Sequence, residues 1–357
     1  MIQPKISFVC PSYNHAKYID SFISSLLQQT ISDWELIIVD DCSSDGNVTA
    51  IKQFSDPRIT LIENSFNKGI NFGFGVAIER ASSGIICLIA SDDILLPEYS
   101  EMVLNIFRDD DVDVVYSPLQ HINENGEFLS TATTLPYNKT QEQIFSEMFL
   151  ESNLLPSPGM AVRKEALLPL LPLDCGLLQH SDWQLHLLLM ANHRISLLKK
   201  PVVLYRISVS STSYRRMDVI AREEIESFKL MDTVAAMIKS EPELFERFFG
   251  VHPLLKNEHV NPSVHPFWLG RLALTSKDLF KRKWGLRLVM NFIENPDHLS
   301  LLHQLYGFSF KDYMALAHLL VEDHPMAAKL LKYKRLVKWL SGSLIISLLI
   351  LCWLSLR

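Results

Sequence analysis

The sequence predicts an α/β protein: a Rossmann-like, mostly parallel sheet with helices on both faces, then a C-terminal helical extension and a hydrophobic tail. Three observations carry this. Short apolar runs alternate with stretches of helical periodicity over the first third of the chain, the pattern of repeated βα units. Three of the runs stop abruptly in polar turns, at Pro11-Ser12-Tyr13-Asn14, at Asp40-Asp41-Cys42-Ser43-Ser44-Asp45-Gly46 and at Ser91-Asp92-Asp93. Residues 339–356 carry no charge at all.

The elements follow in order. Residues 6–10 form a first strand, and its polar turn leads into a helix over 18–29, where Ile19, Phe22, Ile23, Leu26 and Leu27 fall at helical spacing. A second strand at 35–39, a helix around 48–54 and a third strand at 58–62 continue the alternation. Asn67-Lys68-Gly69 turns into a helix reaching Ala81. The apolar, β-branched run from Gly84 to Ala90 reads as the central buried strand. A helix over 98–108 and a strand over 112–117 follow, and Asn125-Gly126 signals a hairpin.

Composition limits the function. A chain with 48% hydrophobic and 21% charged residues is packed and globular. Its net charge of -6 argues against nucleic-acid binding. The cysteines, Cys10, Cys42, Cys87, Cys175 and Cys352, form no CxxC pair, which suits reduced thiols in a cytosolic compartment. No signal peptide is expected, because the first strand begins at once.

Parallel strands all point one way, so the three polar turns share one edge of the sheet, where ligands bind in open α/β folds. Two unpaired carboxylates at Asp92 and Asp93 are costly to ionise there, and a divalent cation carrying a diphosphate removes the difficulty. The plainer alternative is a turn with Asp92 capping the next helix. No GxGxxG or GxxxxGK[ST] loop follows any strand, which argues against dehydrogenases and P-loop enzymes.

Taken together, Pro11-Ser12-Tyr13-Asn14, Val39-Asp40-Asp41-Cys42-Ser43-Ser44-Asp45-Gly46, Asn67-Lys68-Gly69 and Ser91-Asp92-Asp93 resemble the family 2 glycosyltransferases in order and spacing. The resemblance implies a GT-A fold, a nucleotide-sugar donor, Mg²⁺ or Mn²⁺, and inversion at the anomeric carbon. It makes Asp41 the acid that hydrogen-bonds uracil, with Pro11 and Tyr13 flanking the base and Asn14 among the nucleotide-sugar-binding residues. Asp93 becomes the metal ligand and Asp92 the acid facing donor sugar or ribose. One departure is Gly73-Phe74-Gly75, where many members have Ala-Arg-Asn; Lys68 and Lys17 are the replacement cations to consider.

Further on, Gln179-His180-Ser181-Asp182-Trp183 resembles the segment whose Asp is the family's catalytic base, with Ser181 in place of the usual preceding acid. A carboxylate there assists attack by a sugar hydroxyl; the alternative is a helix N-terminal carboxylate favoured by the dipole. Tyr205-Arg206 resembles the segment closing over the donor diphosphate, though Ser208 stands where a His is common. Arg206 is thus a diphosphate contact or, alternatively, a surface ion pair.

The expected division is a catalytic domain at 1–216, with a nucleotide-sugar half at 1–117 and an acceptor half at 118–216 that has an irregular strand at 154–162. A helical appendage follows at 217–335, with helices at 221–238, 268–280, 286–293 and 313–321. His252, His259 and His265 lack ligand spacing and read as exposed loop residues. A tail is expected at 336–357, and Lys329, Lys332, Lys334, Arg335 and Lys338 precede its uncharged run at 339–356. As a helix the uncharged run spans about 27 Å, against a hydrocarbon core of about 30 Å. The expectation is attachment to the cytoplasmic face of the inner or plasma membrane, spanning or lying in the interface. The expected function is transfer from a UDP-sugar to a glycan or lipid-linked acceptor. The rival is a weakly catalytic nucleotide-sugar-binding or structural member of a membrane complex.

Overall fold

In the computed structural model the chain divides into two compact units, residues 1–256 and 257–357. The structure describes residues 3–208, 217–256, 258 and 260–320. The expected tail, its basic flank and most of the serine-rich run after Arg206 lie outside the described residues. No described helix is long and apolar enough to cross a membrane.

The first unit opens with β1 (Ile6–Ser12), buried throughout. In α1 (Ala16–Leu27), Ile19, Phe22, Ile23 and Leu26 are fully buried because their spacing gathers them on one face. β2 (Trp34–Asp40), α2 (Asn47–Ile51), β3 (Ile59–Glu63), α3 (Ile70–Arg80) and β4 (Ile85–Leu88) repeat the alternation. Then come β5 (Ile94–Leu95), α4 (Tyr99–Ile106), β6 (Val114–Tyr116) and the hairpin of β7 (Leu119–Ile122) with β8 (Phe128–Thr133). α5 (Gln141–Leu150), β9 (Met160–Arg163), α6 (Lys164–Leu167), α7 (Ser181–Asn192), β10 (Ile195–Leu197), β11 (Val203–Arg206), α8 (Met217–Ser240) and α9 (Glu243–Phe249) complete the unit.

Seven strands form the main sheet in the order β10-β6-β9-β4-β1-β2-β3. Every neighbouring pair is parallel except those of β9, which runs antiparallel to both β4 and β6. The irregular strand expected at 154–162 is therefore an inserted strand of the main sheet. The registers of β2 and β4 with β1 place Asp40 beside Ser12 and Leu88 beside Val9, so three polar strand ends share one edge as expected. A second sheet, β5-β11-β7-β8, begins directly after Asp92-Asp93. The acid pair thus sits where the chain passes from one sheet to the other.

The expected boundary at 216 moves to 256. α8 and α9 pack on the sheet unit: the Phe248 ring stacks on Phe145 of α5 at 3.8 Å, and Phe245 and Phe249 are fully buried. The second unit contains α10 (His265–Ala273), α11 (Leu279–Ile293), α12 (Pro296–Tyr306) and α13 (Phe310–Ala317). The single helix expected over 268–280 is two, because Asp278 caps α11 by accepting from the Phe280 N–H at 2.7 Å. α12 lies outside the helices expected from apolar periodicity, yet Asn295 caps it and Pro296 occupies its first turn, a normal helix start. His265 is buried at the start of α10 rather than exposed, and burial lowers its pKa. His252 is half-buried and its Nδ1 accepts from the Leu254 N–H, while His259 lies outside the described residues.

The glycines that replace the family's usual triplet differ in kind. A Cβ on Gly73 would lie 2.8 Å from the Pro11 Cβ, whereas one on Gly75 would meet nothing within 4 Å. Gly73→Ala should therefore destabilise by about 1–2 kcal/mol, the clash outweighing the gain in helix propensity. Gly75→Ala should stabilise by up to about 1 kcal/mol. Urea unfolding of both variants checks the signs; a stabilised Gly73→Ala would show that α3 is free to move away from β1.

Candidate active site

The edge formed by β1, β2 and β4 is tied together by a chain of buried polar groups. Asp40 accepts from Asn47 Nδ2 at 2.8 Å and from the Ser43 N–H at 2.9 Å. Asn47 Nδ2 also donates to Ser12 Oγ at 2.8 Å, and Ser12 Oγ accepts from Ser91 Oγ at 2.8 Å. His15 Nδ1 lies 2.8 Å from Ser91 Oγ and 4.0 Å from Asp92 Oδ1. Asp40 therefore shapes the loop, and its neighbour does something else. Asp41 accepts from the Lys68 and Gly69 N–H groups, each at 2.7 Å, and from Asn64 Nδ2 at 2.9 Å. It grips the entry to α3, where the Lys68 ammonium lies 4.4 Å from the Phe72 ring centroid.

Pro11, Tyr13, Asp41, Lys68, Asp92, Asp93 and Asp182 all line one cleft of about 870 Å³. Two expected residues stand apart from it. Asn14 sits in left-handed backbone at φ 54 and ties two loops, its amide oxygen accepting from the Ser44 N–H and its N–H donating to Ser43 Oγ. Arg206 is buried behind the acid pair. Its Nε donates to the Asp92 carbonyl at 2.7 Å, and its Nη1 to the carbonyls of Asn123 at 2.9 Å and Glu124 at 3.2 Å. The guanidinium is spent on main chain, so neither the expected diphosphate contact nor a surface ion pair describes it. Lys17 pairs with Glu124 at 3.4 Å in an exposed position.

Asp93 is buried, and its Oδ1 accepts from the Arg206 N–H at 3.0 Å. Its Oδ2 has no hydrogen-bond partner among the described residues. Burial first, and the neighbouring Asp92 charge second, push its pKa well above the usual carboxylate range. A buried, unpartnered carboxylate oxygen on the cleft, with a second carboxylate adjacent, fits a hard divalent cation such as Mg²⁺ or Mn²⁺. Among the described residues no group of three or more potential ligands gathers, so further ligands to such a cation would come from a bound diphosphate or water.

Asp182 stands in the first turn of α7, where its Oδ1 accepts from the Trp183 N–H at 2.7 Å and its Oδ2 faces Asn153 Nδ2 at 3.4 Å. Burial raises its pKa to about 6. It is both a helix N-terminal carboxylate and a cleft residue, so the two sequence readings are compatible. A second cavity of about 350 Å³ meets the cleft at Asp182, Ser157, Leu178, Ile70 and Asn71. Its further walls are largely aliphatic, with Leu173, Leu185 and Leu188 among them.

Three cleft residues escaped the sequence. His15 and Arg222 line it, and so does Glu226, one turn beyond Arg222 on α8. His15 directly follows the Pro11–Asn14 turn, and that adjacency is its only sequence signal. Arg222 and Glu226 lie beyond every recognisable motif.

A model of the glycosyl transferase family 2 matches residues 7–168. The chain is 35% identical over 137 residues to the Escherichia coli UDP-Glc:alpha-D-GlcNAc-diphosphoundecaprenol beta-1,3-glucosyltransferase WfgD, covering 38% of this chain and 54% of that protein. It is 27% identical over 234 residues to the Escherichia coli O-antigen biosynthesis glycosyltransferase WbnJ, covering 64% and 88%. The chain spans about half the length of several curated relatives that it matches. Among solved structures, S. aureus TarS 1-349 in complex with UDP superposes with a TM-score of 0.51 at 19% identity, over 90% of this chain and 92% of that one, a likeness of fold. The stretch at 7–168 is thus similar to the glycosyl transferase family 2, and within it lie Pro11, Tyr13, Asp41, Lys68, Asp92 and Asp93, all on the one cleft.

Proposed function

We propose that this chain is an inverting glycosyltransferase that moves a sugar from a UDP-linked donor to a hydroxyl of a glycan or lipid-linked acceptor in bacterial surface-polysaccharide synthesis. The observation that carries the reading is the single cleft holding Asp41, the Asp92-Asp93 pair and Asp182 together. The names of the two Escherichia coli relatives, one using UDP-Glc on a diphosphoundecaprenol-linked sugar and one acting in O-antigen biosynthesis, support the substrate class.

On this reading Pro11 and Tyr13 offer flat apolar surface to the base, and Asp41 holds the turn that carries Lys68. Lys68 and Arg222 present positive charge to the diphosphate. Asp93, with Asp92 beside it, would hold Mg²⁺ or Mn²⁺, which when bound offsets charge on the leaving diphosphate. Asp182 takes the proton of the acceptor hydroxyl as its oxygen attacks the anomeric carbon. A pKa of about 6 leaves Asp182 ionised at neutral pH and more basic than an exposed carboxylate. The residues at 336–357 would attach the enzyme to the cytoplasmic membrane face, a reading supported by five upstream cations and a charge-free run.

The reading is tested by a thermal-shift screen of nucleotide sugars with and without Mn²⁺, since a bound donor stabilises by mass action. A UDP-sugar should stand out, and no shift with any of them would leave the rival structural role. Asp93→Ala should abolish transfer and the strengthening of UDP binding by Mn²⁺; calorimetry that still shows strengthening would move the metal elsewhere. Asp182→Asn should lower turnover by about 10²-fold or more while donor affinity stays near wild type. The same variant should be more stable. A carboxyl raised from about 3.9 unfolded to about 6 folded weakens the fold once ionised, fully above pH 6 and not at all below about pH 4. Asp182→Asn should therefore gain about 1–3 kcal/mol at pH 7.5 and nothing at pH 3.5. Equal urea midpoints at pH 7.5 would show Asp182 to be well solvated. Truncation after Lys338 should shift the protein from membrane to soluble fractions while UDP binding persists; unchanged fractionation would remove the anchor.

A further inference from the structure

Glu226 lies on α8, beyond the residues matched to the family, and it is buried beside the cleft. Its Oε2 accepts from three successive main-chain N–H groups, those of Leu178 at 3.0 Å, Gln179 at 2.7 Å and His180 at 3.0 Å. These are the residues that lead into α7, two positions before Asp182. N–H groups at a helix start have no partner within the helix, and an ionised acceptor satisfies them more strongly than a neutral one. The same helix continues the grip: Ser227 Oγ lies 3.2 Å from His180 Nε2, and Thr233 Oγ1 accepts from Gln184 Nε2 at 2.8 Å. These bonds bracket Asp182 on both sides without touching it.

The hold on Asp182 itself is slight. Its carboxylate bonds the N–H of the next residue and meets Asn153 only at 3.4 Å. Where that carboxylate sits therefore depends on where the main chain at 178–183 sits. Deeper in α7 the helix is fixed by buried Leu187, Leu189 and Met190, so loosening its first turn need not release the rest.

We propose that Glu226 is a positioning residue: through the amides of 178–180 it fixes the first turn of α7 and thereby the place of Asp182 in the cleft. This rests on the reading of Asp182 as the base. The consequence is that α8, which carries no recognised motif, completes the catalytic arrangement of a domain that is otherwise encoded before it.

The test is a double-variant cycle in the full chain with Glu226→Gln, Asp182→Asn and both together. UDP release from the nucleotide sugar selected by the thermal-shift screen gives turnover, and calorimetry gives UDP affinity. Glu226→Gln should cut turnover about tenfold or more with UDP affinity within about twofold, and the double variant should be no slower than Asp182→Asn alone. Additive losses in the double variant, a parallel fall of affinity and turnover, or full turnover in Glu226→Gln would each overturn the proposal. Should Glu226→Gln not fold, Glu226→Asp keeps the charge, shortens the reach and is judged by the same pattern. Asp182→Asn with undiminished turnover would instead overturn the base reading, and the single variant alone reveals that case.

Discussion

The cleft depends on holding two adjacent carboxylates at the seam between two sheets. Asp92 keeps partial access to water, but Asp93 is buried with one oxygen unmatched among the described residues. An unmatched buried carboxylate oxygen costs free energy on the order of several kcal/mol. What keeps it there is Arg206, which bonds the chain on both sides of the seam. Its N–H meets Asp93, and its guanidinium gathers carbonyls from the acid turn and from the β7–β8 hairpin. The Tyr18 ring covers the guanidinium at 4.6 Å, placing α1 in the same fastening. An arginine that looked like a ligand contact is part of the frame that makes ligand binding worthwhile.

Asp182 shows the same tension elsewhere on the cleft. Burial that makes it a better base also weakens the fold whenever it is ionised. Both acids are thus held in places that a protein selected only for stability would avoid. Such sites are where local rules are expected to break, and here the breaks coincide with the motif residues.

Much of this was legible beforehand. β1, β2 and β4 were readable because apolar, β-branched runs stop at polar turns, β3 because it continues the alternation, and α3 because Asn67-Lys68-Gly69 announces it. The division of labour between Asp40 and Asp41 was not. Successive residues at a strand end face opposite ways, so one acid turns inward to Asn47 and the other outward to the Lys68 turn. The role of Arg206 was missed because a sequence displays a guanidinium but not the carbonyls that converge on it. Glu226 and Arg222 were invisible for a related reason: their meaning lies in which segment α8 packs against. The break between α10 and α11 could have been read from Ser276 and Asp278, but apolar periodicity running through it concealed the cap.

β9 has a bearing on how the protein is made. It enters the middle of the main sheet, between β4 and β6, although the chain builds β5 to α5 after β4 before reaching it. Until Met160–Arg163 leaves the ribosome, β4 and β6 each present an open, apolar edge, and the two halves of the sheet have no strand to join them. A late central strand makes the fold slow to complete and its nascent forms sticky. Chains cut short of Arg163 should thus be clients of holdase chaperones, while those that pass it can zip both edges at once.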